Sequence, residues 1–159
     1  VRWSVSGGGD STPAVQGDLA VNLSSNESIG VVGYRLGFEG AQKLWNHPTD
    51  ARRSQSSPIL NGQYAYIFED GEHRCIDFHT GAMVWTQEVP SSITSPFLAD
   101  GKIFVMTNSG NTLLMVKANS PERVELARAT MRALWVPSPS ISEGRLFIRH
   151  RDAVRCYTI

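Results

Sequence analysis

The chain has 159 residues, and its 15 Lys and Arg balance 15 Asp and Glu, so its formal charge at neutral pH is zero. That balance leaves no electrostatic footprint for nucleic acid or an anionic membrane. No apolar run approaches the ~20 residues of a membrane-spanning helix, and two cysteines are too few for a disulfide framework.

In chain order, Val1-Arg2-Trp3-Ser4-Val5 has the pattern of a short strand, and Gly7-Gly8-Gly9-Asp10 reads as a flexible link. Four units follow, each opening on Ser or Thr before Pro: Thr12-Pro13, Ser57-Pro58, Ser95-Pro96 and Ser138-Pro139, at intervals of 45, 38 and 43 by subtraction. A period near forty residues marks a radial repeat rather than a one-core domain. Past each Pro, a Gly opens a second apolar run: Gly17 before Leu19-Ala20-Val21, Gly62 before Tyr64-Ala65-Tyr66-Ile67, Gly101 before Ile103-Phe104-Val105, Gly144 before Leu146-Phe147-Ile148. Asn61-Gly62, Asp100-Gly101 and Glu143-Gly144 sit between these runs as hairpin turns, so each unit begins with a β-hairpin.

The second half of the unit is clearest from Cys75 to Trp85, a strand, a Thr80-Gly81 turn and a strand ending in Trp. Asp77 is placed to bond local backbone, Gly81 supplies a left-handed turn, and Trp85 is a flat residue suited to bridging adjacent sheets. The first unit repeats this loosely as Val31 to Leu36, Gly40 and Leu44-Trp45. The third keeps Leu113 to Val116, replaces the Thr-Gly turn with Asn119-Ser120-Pro121 and has no Trp near Leu126; its stretch 121–134 reads as an irregular strand plus loop. In the fourth, 152–159 is a third strand.

These elements predict an all-β chain: a β-propeller of four-stranded antiparallel blades with about four blade-equivalents over 1–159. Its parts are an outer strand at 1–5, blades at 11–48, 56–90 and 94–130, and a three-stranded last blade at 137–159. Trp3, Trp45 and Trp85, with Asp77 and Gly81, are the predicted docking residues.

The pattern Asp-x-x-Thr-Gly-x-x-x-Trp, preceded by Ser-Pro and a Gly-led strand, resembles the repeat of the pyrroloquinoline-quinone-type (PQQ-like) β-propellers over nearly the whole chain. The absence of Gly-His and Trp-Asp pairs sets it apart from WD40 repeats. The resemblance implies a ring of seven or eight blades, closed by an N-terminal strand that completes the last blade, and an extracytoplasmic, periplasmic location. On that reading the chain is the C-terminal portion of a longer propeller. Its missing half comes from the parent protein, or a second copy pairs with it to restore about eight blades.

Two functions go with such a fold. The alternative reading is half of a quinoprotein dehydrogenase, in which an axial funnel holds PQQ and calcium, an Asp acts as base and adjacent cysteines form a small disulfide ring. No cysteines are neighbours here, and the inner strands open as Pro13-Ala14-Val15, Pro58-Ile59-Leu60, Pro96-Phe97-Leu98 and Pro139-Ser140-Ile141, without a carboxylate. No catalytic residue, cofactor or metal is therefore predicted. His47, His73, His79 and His150 lack metal spacing and read as neutral surface residues, while Cys75 and Cys156, at one repeat position, read as small core fillers.

The first-ranked function is a noncatalytic module that binds a protein partner, with neither nucleic acid nor a membrane span. Propeller topology places the loops between strands four and one and between strands two and three on one rim. Those loops cover 46–55, 69–73, 108–111, 128–135 and 149–152. On them Trp135, Arg52, Arg53, Arg149 and Arg151 are the candidate partner contacts.

Overall fold

The computed structural model describes residues 1–49, 56–90, 94–133, 135 and 137–159. Arg52 and Arg53 lie outside the described residues. Helix is absent among those described, and the strands form four separate sheets.

The first sheet holds β1 (Ala14–Gln16), β2 (Leu19–Leu23), β3 (Val31–Leu36) and β4 (Ala41–His47). The second holds β5 (Ile59–Asn61), β6 (Tyr64–Glu69), β7 (Glu72–Asp77) and β8 (Met83–Glu88). The third holds β9 (Phe97–Ala99), β10 (Lys102–Thr107), β11 (Thr112–Lys117) and β12 (Glu125–Thr130), and the fourth β13 (Ser140–Ser142), β14 (Arg145–Arg149) and β15 (Val154–Thr158). Each is an antiparallel meander in chain order, so every sheet is one propeller blade.

Local chemistry sets these hairpins. Asp100-Gly101 and Glu143-Gly144 take positive φ at both residues, 49° and 67° in one and 50° and 71° in the other. Two such residues make the mirror-image turn whose twist matches that of the flanking strands. The stretch 121–134, expected as an irregular strand plus loop, contains the strand β12, which pairs with β11 across a register shift that leaves Leu126 without a partner in the ladder.

A register shift recurs between the third and fourth strands. It falls between Gly33 and Tyr34, between Cys75 and Ile76, and between Met115 and Val116. Opposite the residue before each shift stand Trp45, Trp85 and Ala127. A bulge re-aims one side chain on its strand, so this one fixes where the fourth strand points its largest group.

The cores lie between sheets rather than within them. Leu19, Val21, Leu23 and Val31 of the first sheet meet Leu60, Ala65, Ile67 and Ile76 of the second. Tyr66, Phe68 and Cys75 on the second sheet's opposite face meet Ile103, Val105, Leu114 and Val116 of the third. Phe104, Met106 and Leu113 meet Leu146 and Ile148 of the fourth. Alternation along each strand thus serves two seams at once, which explains the run of six buried residues in β6. No apolar cluster of described residues joins the fourth sheet to the first, so the sheets form an arc.

Residues 1–5, expected as the outer strand of a blade, form no strand, and β15 is an edge. The segment lies instead on the first sheet's outer face, where Trp3 and Val5 share an apolar cleft with Tyr34, Leu36 and Ala41. Tyr34 Oη donates to the Ser6 carbonyl at 2.7 Å, and Asn22 Nδ2 donates to that of Gly7. The edge of β15 is at the far end of the arc, whereas this apolar face is next to the segment in both chain and space.

Candidate functional site: the seams between sheets and the loop rim

The first seam centres on Trp45. Its Nε1 donates to the Phe78 carbonyl at 2.6 Å, and its ring stands edge-on to Phe78 with centroids 5.6 Å apart. The backbone leaves room for it on both sides. A Cβ on Gly81 would lie 2.8 Å from Trp45 Cβ, and one on Gly33 would lie 2.4 Å from the indole ring.

Gly81 also sits at φ 73°, in a turn held by the Asp77 carboxylate, which accepts from Thr80 N at 2.9 Å and Thr80 Oγ1 at 2.8 Å. The Thr80 amide, then its hydroxyl, hold the Asp77 carboxyl below the usual range. The motif Asp77-x-x-Thr80-Gly81 is a socket for the preceding sheet's indole.

At the second seam Trp85 packs against Tyr66, ring centroids 6.2 Å apart, in the cluster that includes Ala118. Here the socket sequence is Lys117-Ala118-Asn119-Ser120-Pro121. Trp85 Nε1 is buried without a hydrogen-bond partner among the described residues. Asn119 N instead donates to Tyr66 Oη at 2.8 Å, and burial raises the Tyr66 phenol and pushes the neighbouring Cys75 thiol up to about 12. The third seam has Ala127 in the tryptophan position.

A second device ties the sheets together. Thr12 N donates to Ser57 Oγ at 3.1 Å, Ser57 N to Ser95 Oγ at 3.2 Å, and Ser95 N to Ser138 Oγ at 3.3 Å. Ser57, Ser95 and Ser138, each before the Pro that opens its unit, accept from the counterpart residue of the preceding sheet, a relay across all three seams. Below it, Ser56 Oγ donates to the Thr94 carbonyl at 2.7 Å, and Thr94 Oγ1 to that of Met106 at 2.9 Å.

On the rim, the turns between second and third strands meet the exits of the fourth. Val89 N donates to the Gly71 carbonyl at 2.9 Å, and Ala133 N to that of Gly110 at 3.0 Å. A polar cluster lies there between the first two sheets. Thr49 Oγ1 donates to Glu69, Arg74 pairs with Glu69 at 3.3 Å and with Glu72 at 2.5 Å, and Thr86 Oγ1 donates to Glu72 at 2.7 Å. Burial pushes the Glu72 carboxyl up, but the Thr86 and Arg74 hydrogen bonds outweigh it and leave the group below its usual range.

Of the candidate contacts, Trp135 is 66% exposed, and Arg149 and Arg151 are exposed. Trp135 and the two arginines belong to separate loops. Trp45, Asp77 and Gly81 converge on one seam; Trp85 fills the next, and Trp3 lies on the outer face.

Two surface readings are corrected. His73 is 2% exposed, its ring 4.6 Å from Phe68, and burial, then the Arg123 charge, lower its pKa to about 3. His150 is also buried and shares a 2.8 Å hydrogen bond with Tyr157 Oη. Conversely Cys156, expected in a core, is exposed, because the face it occupies on the last sheet has no neighbour.

Sequence reading missed Gly33 and Phe78, and used the Ser/Thr before each Pro only as an alignment mark. Its invariant hydroxyl was the available signal. The inner strands Ala14–Gln16, Ile59–Asn61, Phe97–Ala99 and Ser140–Ser142 contain no carboxylate. Among the described residues no three of His, Cys, Asp and Glu gather as metal ligands.

Comparison with known proteins agrees with this architecture. The family model described as "Outer membrane protein assembly factor BamB" matches residues 1–153. A protein of that name from Taylorella asinigenitalis (strain MCE3) is 29% identical over 101 residues, which is 62% of this chain and 26% of the relative. The chain thus spans about a quarter of that relative's length. The crystal structure of BamB from Moraxella catarrhalis superposes with TM-score 0.51 at 13% identity, over 98% of this chain and 74% of that one. A europium-containing methanol dehydrogenase superposes with TM-score 0.60, also at 13% identity, over 80% of this chain and 27% of that one. At such identities the structures speak to the fold alone. The match over residues 1–153, together with the indole sockets and the seryl relay, places the chain in the PQQ-like repeat family of the outer membrane protein assembly factor BamB.

Proposed function

We propose that the chain is a noncatalytic propeller scaffold that binds protein partners in the bacterial envelope, on the periplasmic side. The family match over residues 1–153 carries this reading. The rim supports it, since it gathers loops from successive sheets and presents Trp135, Arg149 and Arg151 to solvent. Exposed Trp and Arg side chains on such loops have the composition of binding hot spots, because they give large contact area and directed hydrogen bonds. Within the described residues, no helix is long and apolar enough to cross a membrane.

The ends of the arc support a second contact. On the last sheet Leu146 and Ile148 face the third, so strand alternation turns Phe147, Cys156 and Val154 outward, and Val154 is 69% exposed. Further blades cover this face, from the parent protein or from a second copy that brings the total to about eight.

The methanol dehydrogenase likeness is one of fold, and no residue of the inner strands favours that chemistry. The test is site-specific photocrosslinking in the host. A benzophenone side chain at Trp135 or Arg151 should capture a discrete envelope protein, and one at Met83, away from the rim loops, should not. Equal capture at both places, or none at the rim, would refute the assignment.

A further inference from the structure

The third seam is built like the other two but lacks its ring. The bulge places Trp45 opposite Gly33 and Trp85 opposite Cys75; the same step places Ala127 opposite Met115. Beside Ala127, between the third and fourth sheets, lies a cleft of about 290 Å³ lined by Phe104, Met115, Ala127, Leu146, Tyr157 and Ile159. For scale, an apolar protein cavity of about 150 Å³ takes up benzene.

One wall is flat, because Phe104 stacks on Phe97 with ring centroids 4.8 Å apart and planes within 1°. An acceptor is also in register. Phe78, whose carbonyl takes the Trp45 N–H, is the twentieth residue after Pro58, and Ile159 is the twentieth after Pro139 by subtraction. At the mouth, Arg128 is occupied by Glu125 through bonds of 2.7 and 2.8 Å, so no free cation is offered to an acidic ligand there.

We propose that this cleft binds a small, neutral, planar heteroaromatic ring with one N–H, of the indole class. The ring takes the place of the missing tryptophan, its faces between Met115 and Tyr157 and its N–H toward the Ile159 backbone oxygen. This site is independent of the scaffold reading, since it depends on the seam and not on the rim.

The test uses the 159-residue chain and 5-fluoroindole, followed by fluorine NMR. A ring of this size, seated in a cleft that is open to solvent where the exposed Ala127 lines it, should bind saturably with Kd on the order of 0.1–1 mM. 1-Methylindole, which keeps the ring but not the N–H, should compete about fivefold more weakly than indole. Ala127→Trp should seat its own indole, reduce probe binding at least tenfold and raise Tm by several degrees, as cavity filling does. Ala127→Leu, a smaller filler, should also block the probe. A wild-type measurement needs neither variant: the Met115 methyl resonance should shift with indole. No saturable binding up to about 5 mM, a Met115 methyl that stays put, or binding undiminished in a folded Ala127 variant would each overturn the site, and equal competition by 1-methylindole would overturn its acceptor.

Discussion

Trp45 of the first sheet gives its indole N–H to the Phe78 carbonyl of the second at 2.6 Å, whereas Trp85, one sheet on, has the same N–H buried with no partner among the described residues. Equivalent residues in consecutive repeats therefore differ in what their nitrogen contributes. Replacing each by Phe separates ring packing from the hydrogen bond. Trp45→Phe strands the Phe78 carbonyl and should cost about 2–3 kcal/mol, while Trp85→Phe removes an unpaired polar atom and should cost about 1 kcal/mol. Urea unfolding of both variants measures the difference, and equal losses would contradict it.

The glycines around Trp45 differ in what a methyl group would meet. At Gly33 it would enter the indole, and at Gly81 it would meet Trp45 Cβ and impose a left-handed φ of 73° on a residue with a side chain. Gly33→Ala and Gly81→Ala should each lose about 1–3 kcal/mol. At Gly40 a Cβ has nothing within 4 Å, so Gly40→Ala should be neutral or mildly stabilising. Thermal melts of the three variants give the ranking.

Ser95 is a double link: its hydroxyl accepts from Ser57 N at 3.2 Å and its own amide donates to Ser138 Oγ at 3.3 Å. Ser95→Ala removes only the first of these and should cost about 1 kcal/mol. Ser138→Ala, whose bond is solvent-exposed, should cost about half as much, because water replaces the lost acceptor. Amide hydrogen exchange should show faster exchange at Ser57 N in the first variant and at Ser95 N in the second.

The pKa of His73, near 3 in the fold, lies below the ~6.5 of a free imidazole. The folded chain keeps this ring neutral while the unfolded chain protonates it. Its contribution is complete above about pH 6.5 and is lost as pH falls toward 3, with a slope on the order of 1 kcal/mol per pH unit. Asp77 and Glu72, whose carboxyls are lowered, act only where free carboxyls begin to protonate, below about pH 5. Urea midpoints at pH 7.5 and 5.5 should therefore fall in the wild type and stay nearly level in His73→Phe, which keeps the ring against Phe68.

The blade meander was legible because its causes are local: paired Asp-Gly and Glu-Gly turns, a Pro every forty or so residues, and short β-rich runs between them. The turn at Asp77, Thr80 and Gly81 was legible as a turn, since Asp77 and Thr80 build it from their own side chains, but its use as a socket for Trp45 was not. Contacts between repeats were not. Nothing near Gly33 in the chain shows that an indole twelve residues later will lie over it, and the seryl relay joins positions 38 to 45 residues apart. The buried His73 was misread for the same reason, because the third sheet, remote in sequence, is what covers it. At the N-terminus the Trp3 pattern is apolar as expected but forms no strand, because the nearest surface able to bury it is the outer face of the first sheet.

Since the relay and the apolar clusters link each sheet only to those beside it, strain at one junction has no direct route past the next. Such an assembly comes apart stepwise, like a stack of tiles lifted from its weakest end. Ala127 makes the junction with the last sheet the leanest, so β13 to β15 are the strands whose amides should open first while the second sheet, gripped on both faces, opens last.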